Sequence, residues 1–373
     1  MKILILSCNT GEGHNSAARA IIEAADKRGI EAVMRDPLSF RSEHAAKIVS
    51  DTYNGMIKHV PEMFGSMYKI SDMVDNGRSG KSAVYHVYAT AAKGLAKFIT
   101  DERIDAVVCT HLFGMEAMTA VRRKYLPDFP CVGIQTDYTC YPFLAEAELD
   151  GYIAPHRDLI DEAVNRGIPA SRIYPLGIPV SAKFSEHIGR QAAREALNIS
   201  QNAKMYLFMS GGVGCGHIIQ LCEELFRLED GDFTAYVLVG RNQEMADELN
   251  REFGDSGHIV AVSFTRQVNI YMEAADVMVS KAGGLSSTEA AVVGVPLVHM
   301  MSIPGCETKN VEFFSSHGMS LRADSLSDAV EKAQLLANDK TLADNMRESQ
   351  RKNTNARSAD DIIDLVINLT KNV

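Results

Sequence analysis

At 373 residues, with 46% hydrophobic and 23% charged side chains, the chain has the composition of an ordinary soluble protein long enough for two domains. A formal net charge of −10 argues against nucleic acid as the main partner. No apolar run reaches the roughly 18–20 residues of a membrane span, and the first strand follows Met1-Lys2 directly, so no signal peptide is expected.

The first strand, Ile3–Leu6, runs into the polar turn Ser7-Cys8-Asn9-Thr10-Gly11-Glu12-Gly13-His14 and a helical pattern ending at Lys27. A strand, a glycine turn and a helix together aim free backbone N–H groups at one spot, which suits an anionic group. Gly11 and Gly13 would let the backbone approach a ligand, with His14 where the helix begins; a plain βα turn with a polar cap fits the same residues. A dinucleotide fingerprint is incomplete here. The third glycine is missing, and Asp36, at the end of the second strand Glu31–Arg35, stands alone before Pro37. No Gly-Lys-Ser/Thr follows, so this is not a Walker A loop.

Residues 41 to 100 carry no strand pattern. Met56, Ile57, Val60, Met63, Phe64, Met67, Tyr68, Ile70, Met73 and Val74 fall at helical spacings among Lys47, Lys58, Lys69, Arg78 and Lys81, which predicts amphipathic helices. Residues 41–97 hold 8 basic and 5 acidic side chains, so this stretch is locally positive. An ordinary helical subdomain with core methionines explains the pattern as well as a surface resting on an anionic membrane.

Strands at Ala106–Thr110, Cys131–Gln135, Tyr152–Ala154 and Arg172–Tyr174 complete a first α/β half with a parallel, doubly wound sheet. Asp137, in Gln135-Thr136-Asp137-Tyr138, then stands at the carboxyl edge of the sheet, where open α/β folds bind ligands. Leu176-Gly177-Ile178-Pro179-Val180 reads as a hinge. The alternation resumes with strands at Met205–Met209, Thr234–Val239, Ile259–Val262, Val277–Val279 and Pro296–His299, and a last helix at Ala359–Thr370. The turn after the first of these, Ser210-Gly211-Gly212-Val213-Gly214, is a second phosphate-type turn.

Two further junctions carry polar chemistry. Lys281-Ala282-Gly283-Gly284-Leu285-Ser286 follows a strand and opens a helix with Glu289 in its early turns. Glu289 could accept both hydroxyls of a ribose, or close a capping box on Ser286; the spacing of three permits either. Ile303-Pro304-Gly305-Cys306-Glu307-Thr308-Lys309-Asn310 leads into a helix expected at Val311–His317, where polar side chains could bond sugar hydroxyls; a loop with an exposed helix start fits the same residues. The seven cysteines show no CxxC or zinc-type spacing and read as buried free thiols of a reducing cytoplasm.

The pattern Ser7-x-x-Thr10-Gly11-x-Gly13-His14-x-x-Ala17-Ala18 resembles the N-terminal signature of the monogalactosyldiacylglycerol synthases and the bacterial processive diacylglycerol glucosyltransferases. Lys281-Ala282-Gly283-Gly284 through Glu289-Ala290, then Ile303-Pro304-Gly305 through Asn310, resembles their C-terminal donor signature. Thr136-Asp137-Tyr138 and Gly177-Ile178-Pro179 fall in the matching order. A more distant likeness is to the peptidoglycan N-acetylglucosaminyltransferase. The resemblance implies a GT-B fold: two Rossmann-like domains facing across a cleft, an acceptor domain at 1–177, a UDP-sugar domain at 178–355, and a helix at 356–373 returning to the first.

By position, it implies that Gly212, Val213 and Gly214, with Gly283, Gly284, Leu285 and Ser286, cradle the donor. Glu289 would bind the ribose, the backbone at Phe264 would face the uracil, Glu307 and Asn310 would meet the hexose, and Gly11 and Gly13 would also belong to the donor site, from the opposite turn. His14 falls on the family's catalytic histidine. The expected reaction is an inverting transfer from a UDP-hexose to a hydroxyl of diacylglycerol or a glycosyl-diacylglycerol, at the inner face of the cell membrane. His14 is the candidate base, its intrinsic pKa lying near operating pH, and Asp137 is its orienter or an alternative base. No DxD-type motif appears, so neither a metal nor another cofactor is expected. Cys306 replaces the family's usual Gln and leaves the hexose unassigned. A non-lipid acceptor, a sugar-nucleotide 2-epimerase and a non-catalytic sugar-nucleotide-binding subunit are the competing readings.

Overall fold

The computed structural model describes residues 1–8, 12–42, 81–209, 217–300 and 305–371. The methionine-rich stretch up to residue 80, and Gly11, Gly212, Val213 and Gly214, lie outside them. The chain divides into two units: Met1–Ala182 with Ile303–Cys306 and Asn355–Val373, and Lys183–Ser302 with Glu307–Thr354.

In the first unit six strands, β1 (Lys2–Leu6), β2 (Glu31–Arg35), β3 (Ala106–Cys109), β4 (Cys131–Ile134), β5 (Gly151–Ile153) and β6 (Ile173–Tyr174), form a sheet in the order β2-β1-β3-β4-β5-β6. Every pairing is parallel. β1 shows why its sequence is apolar throughout: Leu4 and Leu6 enter one core, Ile3 and Ile5 the other, because strand side chains alternate between faces. The Leu4 face packs Leu95 and Met115, from helices Ala92–Asp101 and Leu112–Lys124. The Ile3 face packs Ala18 and Ile21 of helix Glu12–Asp26, and Ile362, Ile363 and Val366 of helix Ser358–Thr370. Each such aliphatic side chain contributes about 1.5–3 kcal/mol by leaving water.

The end of the chain is tied down by more than apolar contact. Arg28 pairs with Asp360 at 2.9 Å and Asp364 at 3.0 Å. Asn355 donates to the Leu176 carbonyl at 2.9 Å, and Ser358 to the Gly177 carbonyl at 2.8 Å. Gly177 sits at φ +90, where a side chain would be strained and its Cβ would lie 3.3 Å from that of Asn355.

The second unit repeats the plan with β7 (Lys204–Met209), β8 (Phe233–Gly240), β9 (Ile259–Ser263), β10 (Val277–Ser280), β11 (Leu297–His299) and β12 (Leu321–Arg322), ordered β12-β11-β10-β7-β8-β9. All its pairings are parallel too. In both sheets the sequence changes direction beside the first strand, so the loops after β1, β3 and β4, and after β7 and β10, share the carboxyl edge. Two helix starts differ from the sequence reading. Glu12–Asp26 begins early enough to place Gly13 and His14 in its first turn rather than in a loop, with Glu12 suited to the positive helix end. Cys306–Ser316 begins five residues before Val311. Six cysteines in the described residues are free thiols, five of them buried and Cys306 half-buried.

Candidate active site

In the first unit the carboxyl edge gathers groups from three loops around His14. Its Nδ1 lies 2.9 Å from the Thr110 carbonyl, just past β3, and 2.9 Å from Thr136 Oγ1, just past β4. A carbonyl can only accept, so Nδ1 carries the hydrogen and Nε2 keeps its lone pair. Ser7, at the end of β1, donates to Asn15 Oδ1 at 2.7 Å in the same helical turn, fixing how the helix leaves the sheet.

His111 packs its ring against that of His14, with centroids 4.4 Å apart and nearly perpendicular planes. Its Nδ1 accepts from the Phe113 amide at 3.1 Å, capping helix Leu112–Lys124. Lost hydration pushes the His14 pKa down to about 4, against a smaller opposing effect of the Thr110 bond, and holds His111 well below the ordinary histidine value. The expectation of a histidine titrating near operating pH is therefore corrected: His14 is a neutral imidazole with a bare Nε2 throughout the physiological range.

Asp137 does not touch His14. Its Oδ2 accepts from the Tyr141 hydroxyl at 3.1 Å, and Tyr141 in turn meets Thr136, by Oγ1 and by the amide, at 2.8 Å each. Thr110, His111 and Tyr141 carried no motif in the sequence, and Thr136 entered only as the neighbour of Asp137. Only the arrival of the loops after β3 and β4 at one sheet edge brings them together beside His14.

In the second unit, helix Gly284–Val293 starts at Gly283, an N-cap with extended backbone (φ −69, ψ 132) and no side-chain capping bond. Its first amides are left for another acceptor, as at helix starts that bind phosphate. Ser286 lies within the first turn and donates to the Gly283 carbonyl at 3.2 Å. It is not the N-cap, so the capping-box reading of Glu289 fails: a box acid belongs three residues after the cap, and Glu289 lies half-buried six residues beyond Gly283.

The loop before this helix is held by the next motif. Lys281 pairs with Glu307 at 2.6 Å, and Asn310, fully buried, donates to the Ala282 carbonyl at 2.9 Å. One N–H of Asn310 thus braces the turn before the helix, a positioning role that the sequence did not announce. Leu285 is buried, and Phe264, just past β9, is 59% exposed with the Arg241 guanidinium 5.1 Å from its ring centroid. His299, at the end of β11, links this helix to the sheet. It meets Ser287 Oγ at 2.9 Å and Ser320 Oγ at 3.0 Å, and burial pushes its pKa down to about 3.

Comparison with known proteins fits this division. Residues 14–180 match the model of the monogalactosyldiacylglycerol (MGDG) synthase family, and residues 207–365 that of the glycosyltransferase family 28 C-terminal domain. The chain belongs to the glycosyltransferases that join these two domains. Among the relatives of this glycosyltransferase is a protein named processive diacylglycerol beta-glucosyltransferase from Bacillus pumilus, 24% identical over 94% of this chain and 90% of the relative. One of the same name from Bacillus subtilis is 24% identical over 91% and 88%. Acinetobacter baumannii MurG is similar in structure, with a TM-score of 0.65, 14% identity and 98% and 99% of the two chains covered. The UDP-GlcNAc 2-epimerase from Neisseria meningitidis gives 0.62, 12%, 99% and 100%. At these identities the likeness establishes the GT-B fold alone.

Proposed function

We propose that this glycosyltransferase moves a hexose from a UDP-sugar to a hydroxyl of diacylglycerol or of a glycosyl-diacylglycerol, with inversion at the anomeric carbon. The observation that carries the reading is His14, a neutral imidazole whose Nδ1 is committed to Thr110 and whose Nε2 is bare. In the reaction the acceptor oxygen forms a bond to the anomeric carbon, the bond from that carbon to the diphosphate oxygen breaks, and the acceptor proton passes to Nε2. The uncapped amides at Gly284, Leu285 and Ser286 would stabilise the departing UDP. Glu289 would hold the ribose, Phe264 the base, and Glu307, steadied by Lys281, the hexose. The acceptor class is supported by the names and near-complete coverage of the diacylglycerol glucosyltransferases.

The locally positive residues 41–97 support work at an anionic membrane surface. No helix among the described residues is long and apolar enough to cross a membrane. The test is a panel of UDP-glucose, UDP-galactose and UDP-N-acetylglucosamine, each with and without diacylglycerol. UDP release that requires the lipid supports the reading, and the productive donor assigns the hexose. Interconversion of the sugars with no acceptor would instead make the chain an epimerase. Co-sedimentation with phosphatidylglycerol vesicles, but not with phosphatidylcholine vesicles, is the expected membrane result.

A further inference from the structure

The hydroxyls between Asp137 and His14 form a chain with only one consistent direction. We propose that Tyr141 is a positioning residue: with Thr136 it lets Asp137 fix the hydrogen on His14 Nδ1 and so keep Nε2 bare for the acceptor proton. This rests on the reading of His14 as the base.

The direction follows from counting hydrogens. A carboxylate only accepts, so the Tyr141 hydroxyl spends its hydrogen on Asp137 Oδ2 at 3.1 Å. The Tyr141 oxygen is then an acceptor for the Thr136 amide and for Thr136 Oγ1, both at 2.8 Å. Thr136 has now spent its own hydrogen, so its Oγ1, 2.9 Å from His14 Nδ1, faces the ring as an acceptor. The Thr110 carbonyl makes the same demand from the other side. Thr136 and Tyr141 are 4% and 9% exposed, leaving little water to take over either bond. Burial and the neighbouring Asp137 and Cys306 hold the Tyr141 phenol well above its ordinary pKa, so it keeps the hydrogen that it donates.

Without the Tyr141 hydroxyl, the Thr136 hydrogen is released and can turn toward Nδ1, which favours the tautomer with hydrogen on Nε2. That imidazole cannot accept the proton. Tyr141→Phe, Asp137→Ala, and Tyr141→Phe combined with Thr136→Val are therefore informative in the full chain. The tautomer is read by long-range ¹H–¹⁵N NMR on ¹⁵N-histidine protein without substrate, and His14→Gln assigns the signal among the eleven histidines.

Wild-type protein is expected to show hydrogen on Nδ1, and Tyr141→Phe and Asp137→Ala a shift toward Nε2. Adding Thr136→Val to Tyr141→Phe removes the misdirected hydroxyl and returns the Nδ1 form, a rescue that a purely structural role would not give. With the productive donor and diacylglycerol, Tyr141→Phe is expected to lower kcat about 10-fold or more, with donor KM within about 2-fold. Asp137→Ala serves if Tyr141→Phe does not fold, since it removes a half-buried side chain at the head of the same chain. A wild-type His14 with hydrogen on Nε2, or a tautomer unmoved in both variants, overturns the proposal. If the tautomer responds as expected but no donor and lipid turn over, the positioning stands and the acceptor assignment falls.

Discussion

Acid should do little to the chemistry between pH 7 and pH 5. The base must be neutral to take a proton, and burial holds His14 at about 4. At that value about 99.9% of His14 is neutral at pH 7 and about 91% at pH 5, a loss of about a tenth. With the ordinary value of 6.5 the neutral fraction would fall from about 76% to about 3%, a loss of roughly 25-fold. The assay is kcat/KM for UDP release over pH 4–8 in mixed micelles of diacylglycerol and a neutral detergent, whose charge does not change with pH. His14→Gln should remove turnover by about 10²- to 10⁴-fold while UDP still binds. An acid limb centred near pH 6.5 in wild type would refute the argument. So would a His14→Gln enzyme that keeps wild-type turnover.

Stability should respond to acid where the chemistry does not. His299 is fully buried and neutral, its pKa pushed from 6.5 to about 3, so the unfolded chain binds the proton first. Its contribution is full above pH 6.5 and declines as pH falls toward 3, by at most about 5 kcal/mol. Urea midpoints measured between pH 7 and pH 4 should fall less steeply for His299→Gln than for wild type. Asn310→Leu strands the Ala282 carbonyl, at a cost of about 1–3 kcal/mol, and should weaken UDP binding by calorimetry while leaving the His14 tautomer unchanged. Turnover should survive EDTA with less than about a 2-fold change, because the leaving group is assigned to helix amides. A loss restored by a divalent ion would put a metal in the donor site.

The strands were legible because both faces of each sheet are covered, which forces continuous apolar runs such as Ile3–Leu6 and Ala106–Cys109. The exception is β12, two edge residues of which neither is buried, so no apolar run marks it. Helix starts were less legible. Gly13 looked like part of a turn, yet tertiary packing of Ala17, Ala18 and Ile21 carries the helix back over it. His14 was visible from its motif, but not its environment. Its pKa and tautomer come from Thr110, His111 and Thr136, about a hundred residues away in sequence and joined only by the order of β1, β3 and β4. Asp137 was placed at the correct edge, though the two hydroxyls that separate it from His14 left no trace in spacing. Asn310 shows a role that no spacing announces: beside its place next to a loop, the fold uses it to brace the Ala282 carbonyl.

The tie between Leu176-Gly177 and Asn355-Ser358 bears on how the molecule is made. The face of the first sheet that holds Ile3, Ile5 and Ile21 is closed by residues 358–370, which the ribosome makes only after the whole second unit. The first unit to be synthesised is therefore the last to be finished. Until then its apolar sheet face stays open. A cleavage just before Ser358 would strip this face of the first unit, while the second unit keeps its own core.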